Sequence, residues 1–219
     1  MSGAFRLYGA PWSGAVAVEA ALVLAGRPYE RIDAVTWDND DPASGDKVLA
    51  ANPMRQVPAL QTPSGEVLTE SAAILTWLAE QFPQARLSPA AGDPRRGTFL
   101  RWMSFVSSAI YAHYWAKDDP SRLVSDSGAQ AEVVERIEDR IAACWTMMDS
   151  QLTPGTWLLG DEISVLDLYV AVVSRFRPRR RRFYAAAPGM AAVIRRVDAE
   201  PRLQELWNER MPFAPGWEG

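Results

Sequence analysis

The stretch Val57-Pro58-Ala59-Leu60-Gln61-Thr62-Pro63-Ser64-Gly65-Glu66-Val67-Leu68-Thr69-Glu70-Ser71 carries two short runs, Val57 to Leu60 and Glu66 to Leu68, on either side of the turn residues Thr62-Pro63-Ser64-Gly65. That pattern predicts an antiparallel hairpin with a short loop. Pro58 has no N–H to give to a ladder, so it belongs at a sheet edge or a strand start. The period then changes. Ile74, Leu75, Leu78 and Phe82 share one helical face, and Ser71 stands where an N-cap hydroxyl is wanted.

Upstream, Phe5 to Tyr8 reads as a strand that stops at Gly9-Ala10-Pro11-Trp12-Ser13-Gly14. From Ala15 to Ala25 the residues are almost all apolar, with Glu19 the only charge, and Gly26 is placed to end a helix. A helix that is apolar all round is a buried helix. Tyr29 to Asp33 is a second strand candidate, and the polar stretch from 38 to 46 is a loop leading into Lys47 to Ala51. The alternation of short strands and helices is that of an α/β unit.

Downstream, Pro83, Pro89, Gly92 and Pro94 interrupt all periodicity. The expected division is a first domain over 1–83, a linker over 84–94 and a second domain over 95–219. In the second, Val134, Ile137, Ile141, Trp145, Met148 and Leu152 form a helical stripe. Phe99 to Trp115, Val165 to Val173, Met190 to Val197 and Leu203 to Trp207 predict further helices, so this domain is all-α.

The 219 residues are 48% hydrophobic and 23% charged, a globular composition. A net charge of -4 argues against nucleic acid or anionic lipid as a partner. One cysteine, Cys144, permits no intramolecular disulfide and no thiolate zinc site, and one histidine, His113, weighs against a His-rich metal centre or a Ser-His-Asp triad. Cys144 reads as a small hydrophobe beside Trp145, His113 as a surface or interface residue, and Arg179 to Arg182 as a solvated turn between helices. No basic region followed by an apolar run opens the chain, and no run of about 18 apolar residues follows. The expectation is a soluble cytoplasmic protein without a metal, and not bound to a membrane.

Three segments, in order and spacing, resemble the glutathione transferase superfamily: Leu7-Tyr8-Gly9-Ala10-Pro11-Trp12-Ser13 before a helix, Asn52-Pro53-Met54-Arg55-Gln56-Val57-Pro58-Ala59-Leu60 around a proline, and Thr69-Glu70-Ser71-Ala72-Ala73-Ile74-Leu75 at a helix start. A fourth, Ser164-Val165-Leu166-Asp167 after Trp157-Leu158-Leu159-Gly160, is similar to that family's buried N-capping box. The resemblance implies a thioredoxin-like βαβαββα domain that holds glutathione, an all-helical second domain, and a homodimer.

It also implies roles. Val57, before a cis Pro58, would offer its backbone N–H and C=O to the cysteinyl unit of glutathione, Ser71 would receive the γ-glutamyl carboxylate, and Glu70 would pair with the ammonium. Arg55 is the candidate for the glycine carboxylate, with Gln56 adding a hydrogen bond. A free thiol titrates near 8.5, so only about 3% is thiolate at neutral pH, and the protein must lower that value. Ser13 aligns with the serine of the serine-type classes and is the expected catalytic hydroxyl; Tyr8 is a rival, read as a core strand residue. One departure is Ala72, where serine-type relatives often carry an arginine.

Trp12, Phe105, Ser108, Tyr111, Ala112 and Trp115 are the candidates for a pocket that receives a small apolar electrophile. Phe213-Ala214-Pro215-Gly216-Trp217 is either a cover for that pocket or a free end. The implied activity is conjugation of the glutathione thiolate to the electrophile. A non-catalytic binder of the same fold, and a glutathione-dependent peroxidase or disulfide reductase, stand as alternatives.

Overall fold

A computed structural model describes residues 4–37 and 40–218. Positions 38 and 39 of the predicted polar loop, and 1–3 of the chain start, lie outside them. The first domain runs β1 (Phe5–Gly9), α1 (Ala15–Leu24), β2 (Tyr29–Asp33), α2 (Pro42–Asp46), β3 (Ala59–Gln61), β4 (Val67–Thr69) and α3 (Ser71–Gln81). Its four strands lie in the order β2-β1-β3-β4. β1 runs parallel to β2 and antiparallel to β3, and β3 pairs antiparallel with β4 in the register Ala59 opposite Thr69. This is the mixed sheet of a thioredoxin-like domain. Helices α4 (Arg96–Phe105), α5 (Tyr114–Asp118), α6 (Ser127–Asp149), α7 (Val165–Val173), α8 (Arg180–Ala186), α9 (Pro188–Asp198) and α10 (Gln204–Arg210) make the second domain.

Several ends follow from local chemistry. Gly26 takes a positive φ of 64° and turns the chain out of α1, with Arg27 N–H donating to Leu22 and Gly26 N–H to Val23. Within the stretch read as a polar loop, Pro42–Asp46 form the short helix α2. Asp41 caps it through Ser44 N–H at 3.2 Å and Pro42 opens it, local start signals that a reading of polar composition passes over. Glu70, not Ser71, is the residue before α3; its φ of 67° makes Ser71 the first helical residue.

The single helix expected over Phe99 to Trp115 is broken. α4 passes into a π-type turn over Val106–Ile110 and a tighter turn over Tyr111–His113 before α5 begins. The arginine run is not a solvated turn either. Arg180 is fully buried in α8, where its two terminal nitrogens meet the Asp198 carboxylate at 2.8 and 2.9 Å and one also donates to Ala171 C=O. Buried guanidinium is retained because each nitrogen that reaches Asp198 is both charge-compensated and hydrogen-bonded.

One apolar core crosses the two domains. Val16 to Leu22 of α1, Ile74, Leu75 and Leu78 of α3, Phe99 and Trp102 of α4 and most of α7 are buried together. Each large apolar side chain so enclosed contributes about 1.5–3 kcal/mol. Cys144 and Trp145 are buried in the same core. Glu19 is also fully buried, on α1, and is therefore paired. Its Oε1 receives Arg210 Nε at 2.9 Å, and its Oε2 receives Arg31 Nε at 2.7 Å and the Tyr29 hydroxyl at 3.0 Å. Arg210 also donates to Asp33 at 2.7 Å, so the last helix is fastened to the first domain through charge. Arg210→Met leaves Glu19 short of a partner and is expected to lower stability by about 3–5 kcal/mol in urea denaturation. Adding Glu19→Leu to that variant should restore much of the loss.

At the start of α7, the Asp167 carboxylate gathers Leu158 N–H at 2.8 Å, Ser164 N–H at 2.8 Å and the Ser164 hydroxyl at 2.7 Å. Burial nevertheless pushes its pKa up to about 6. An unfolded aspartate titrates at about 3.9, so the folded chain holds this proton more tightly. Stability from that protonation is complete below about pH 4 and is lost as pH rises through the folded value. Denaturant midpoints measured from pH 4 to 7 should therefore carry a downward component that Asp167→Asn abolishes, while the variant is less stable throughout.

Candidate functional site

The three motif segments meet where β1, β3 and the starts of α1 and α3 converge. The β3–β4 ladder ends at Ala59 opposite Thr69, so Val57 and Ser71 each lie two residues beyond the same end of it. The Val57–Pro58 peptide is cis. Among the described residues, neither the N–H nor the C=O of Val57 makes a backbone hydrogen bond, so both remain available just before β3. The N–H groups of Ser71, Ala72 and Ala73, the first turn of α3, are likewise unpartnered among the described residues, while Ile74 N–H closes the first helical bond onto Glu70 C=O at 2.9 Å. Glu70 is exposed and has no hydrogen bond or ion pair among the described residues; the Gln56 side chain is exposed and also without one. Free backbone before β3, a helix start with open N–H groups suited to an anion and an unpaired carboxylate thus lie near one end of the sheet.

Other expected residues are committed differently. Ser13 is buried, and its hydroxyl donates to Ala10 C=O at 2.6 Å while receiving Ala15 N–H at 3.2 Å. Its one hydrogen is therefore spent inside the turn before α1. Arg55 ties down the preceding loop: Nε meets Asp46 at 2.7 Å, and the terminal nitrogens donate to Thr36 C=O at 2.7 Å and Pro42 C=O at 2.9 Å. Tyr8 is a buried strand residue, as expected.

Of the pocket candidates, Tyr111 reaches furthest into the site, its hydroxyl receiving Gly14 N–H at 2.9 Å. A methyl built on Gly14 would meet Ser71 Oγ at 2.7 Å and the Tyr111 hydroxyl at 2.8 Å, so glycine is required by this close approach. Phe105 is half-buried against Trp102. Ser108 is exposed with its hydroxyl on Ser104 C=O, Ala112 is exposed, and Trp115 is exposed beneath Arg122. His113 is half-buried, and burial lowers its pKa.

Trp12 lies across the turn from these groups, with a φ of 59° and its N–H donating to Arg210 C=O at 3.3 Å. Arg175, 2% exposed, stacks its guanidinium 4.3 Å from the Phe213 ring, 4.9 Å from Trp217 and 5.5 Å from Trp12. Burial lowers its pKa to about 10. The tail from Phe213 to Trp217 is thereby held beside Trp12.

A model of the glutathione S-transferase N-terminal domain matches residues 13–81, and one of the glutathione S-transferase C-terminal domain matches 123–210. The chain belongs to the glutathione S-transferase superfamily. It is 37% identical over 204 residues to a maleylacetoacetate isomerase of Pseudomonas aeruginosa, covering 90% of this chain and 92% of that one. It is 27% identical over 201 residues to the uncharacterized GST-like protein YncG of Escherichia coli, covering 92% and 96%. A solved glutathione transferase homolog from Sulfitobacter, with bound glutathione, superposes with a TM-score of 0.80 at 26% identity over 95% of this chain and 99% of that one.

Several contributions to this transferase-family site carry no residue-type signal. Trp12, Arg55 and Glu70 all adopt positive φ, although none is a residue that favours it; such backbone costs about 1–3 kcal/mol and persists where the surroundings enforce it. Asn52 could have been found. An Asn-Pro pair marks a turn, and its buried side chain receives Met54 N–H at 3.1 Å and donates to Gln56 C=O at 3.0 Å, shaping the approach to Val57. Ser13→Ala removes the acceptor for Ala15 N–H and should lower stability by about 1 kcal/mol, read from thermal or denaturant midpoints.

Proposed function

We propose that this chain is a cytoplasmic glutathione transferase that joins the glutathione thiolate to a small apolar electrophile. The observation that carries the reading is the unpartnered Val57 backbone and the unpartnered first turn of α3, both just beyond the same end of the β3–β4 ladder. The cysteinyl unit pairs with Val57 in the manner of an added strand, held to that direction by Pro58. The γ-glutamyl carboxylate takes the N–H groups and hydroxyl of Ser71, Glu70 takes the ammonium, and Gln56 contacts the far end. Arg55, which holds the loop beneath, supports the same edge, and Ser13 holds the turn beside the sulfur. One buried cysteine suits the reducing cytoplasm.

The reaction needs little more than placement and a stabilised anion. The bound thiol releases its proton to water, the sulfur forms a bond to the electrophilic carbon, and the leaving group departs with its bonding pair. Trp12, Phe105, Ser108, Tyr111, Ala112 and Trp115 flank the approach. The named isomerase among the relatives favours a second reading, in which the same thiolate adds reversibly to an activated double bond.

Titration calorimetry with glutathione, beside product analysis with a panel of aryl halides, enones, peroxides and cis-alkenes, tests these readings. Binding with a conjugate is expected; binding without any turnover would leave a ligand-binding protein, and oxidised glutathione from peroxide would point to a peroxidase. Glu70→Ala should weaken glutathione roughly tenfold or more, as loss of a charged hydrogen bond requires.

A further inference from the structure

The sulfur of a glutathione held at Val57 and Ser71 needs a hydroxyl with a hydrogen to give. Ser13, the residue that sequence position favours, has given its hydrogen to Ala10 C=O. Tyr8 is buried in the sheet. Tyr111 differs from both. Its oxygen accepts Gly14 N–H at 2.9 Å, and no acceptor among the described residues takes its own hydrogen. That hydroxyl and Ser71 Oγ both lie within 2.8 Å of one point beside Gly14, at the junction of the α1 and α3 starts.

We propose that the Tyr111 hydroxyl, supplied by the helical domain, is the group that hydrogen-bonds and stabilises the glutathione thiolate. This rests on the glutathione-binding reading above. The phenol keeps its own hydrogen and shares it with the sulfur, whose proton has left to water; no bond to Tyr111 is made or broken.

Two further observations support the assignment. Burial pushes the Tyr111 phenol up to about 12, with Asp118 of α5 and Glu70 adding to the rise against the Gly14 N–H, so it is a neutral donor at physiological pH. These two carboxylates are the charged groups that face it. Tyr169 of α7, fully buried, stands edge-on to Tyr111 with ring centroids 6.2 Å apart. Its hydroxyl is directed towards Ser71 and Ser107 without reaching a hydrogen-bond partner, a second unsatisfied phenol at the same corner. Phe176 packs 5.4 Å from the Tyr111 ring and fixes its other side.

The experiment is a pH titration of the ultraviolet thiolate absorbance of protein-bound glutathione, with affinity measured in parallel by calorimetry. In the unaltered protein the bound thiol should titrate below 8.5. In Tyr111→Phe it should rise by about one to two pH units, as loss of a hydrogen bond to an anion implies, with glutathione affinity within about threefold. Tyr8→Phe should not move it. Should Tyr111→Phe fold poorly, site-specific difluorotyrosine at 111, a stronger donor of the same shape, should instead lower the thiol value. An unchanged titration in these Tyr111 variants, or a rise produced by Ser13→Ala and not by Tyr111→Phe, overturns the assignment while the glutathione reading stands. Absence of any binding heat in the unaltered protein overturns both.

Discussion

The buried Glu19–Arg210 pair sets the geometry on which the rest of the molecule depends. α1 is apolar on every other side, so the one carboxylate it takes into the core must find a cation there, and that cation comes from the last helix of the chain. Arg210 then fixes two further things. Its side chain reaches Asp33 at the end of β2, and its carbonyl receives Trp12 N–H in the turn before α1. A single residue late in the chain, Arg210, therefore helps hold the turn before α1. Desolvating such a pair is costly, and hydrophobic replacements of similar volume can be as stable. Its value here lies in specifying how the helical domain sits on the first.

That docking explains why the site belongs to neither domain alone. Val57, Glu70 and Ser71 come from the segment before β3 and the start of α3, while Tyr111, backed by Tyr169, comes from the helical domain and meets Ser71 at the start of α1. The contact between Gly14 and Tyr111 is made across the same interface that buries Val16, Ile74 and Phe99. Packing of the shared core and placement of the polar groups are one problem, solved together.

Much of this was legible in the residues. The hairpin around Pro63-Ser64-Gly65, the all-apolar α1, the Gly26 stop and the Ser164–Asp167 box are local signals, and local signals survive tertiary context. The α/β alternation followed from them, and the family resemblance supplied the full βαβαββα order, including the helix between β2 and β3 that the residues alone had read as a loop. What could not be read was the direction of single bonds. A serine before a helix looks the same whether its hydrogen points inward to Ala10 or outward to a ligand, and an arginine after Asn-Pro-Met looks the same whether it reaches a substrate or the Thr36 and Pro42 carbonyls. The arginine run misled because charge density suggests solvent, whereas Asp198, far along the chain, takes Arg180 into the interior.

The π-type turn over Val106–Ile110 has a consequence for how such a chain can change. A wider turn accommodates one residue more than an α-helix would over the same length, so what lies beyond it keeps the phase of an unbroken helix one residue shorter. Deleting one residue there would let the helix run on regularly with Tyr111 still towards Gly14, whereas forcing all the present residues into a regular α-helix would swing Tyr111 round the axis by about 100° and carry its hydroxyl away from Gly14 while the apolar stripe of α4 stayed in place. The width of this short turn, more than the identity of any side chain within it, decides which face of the helix looks at Gly14.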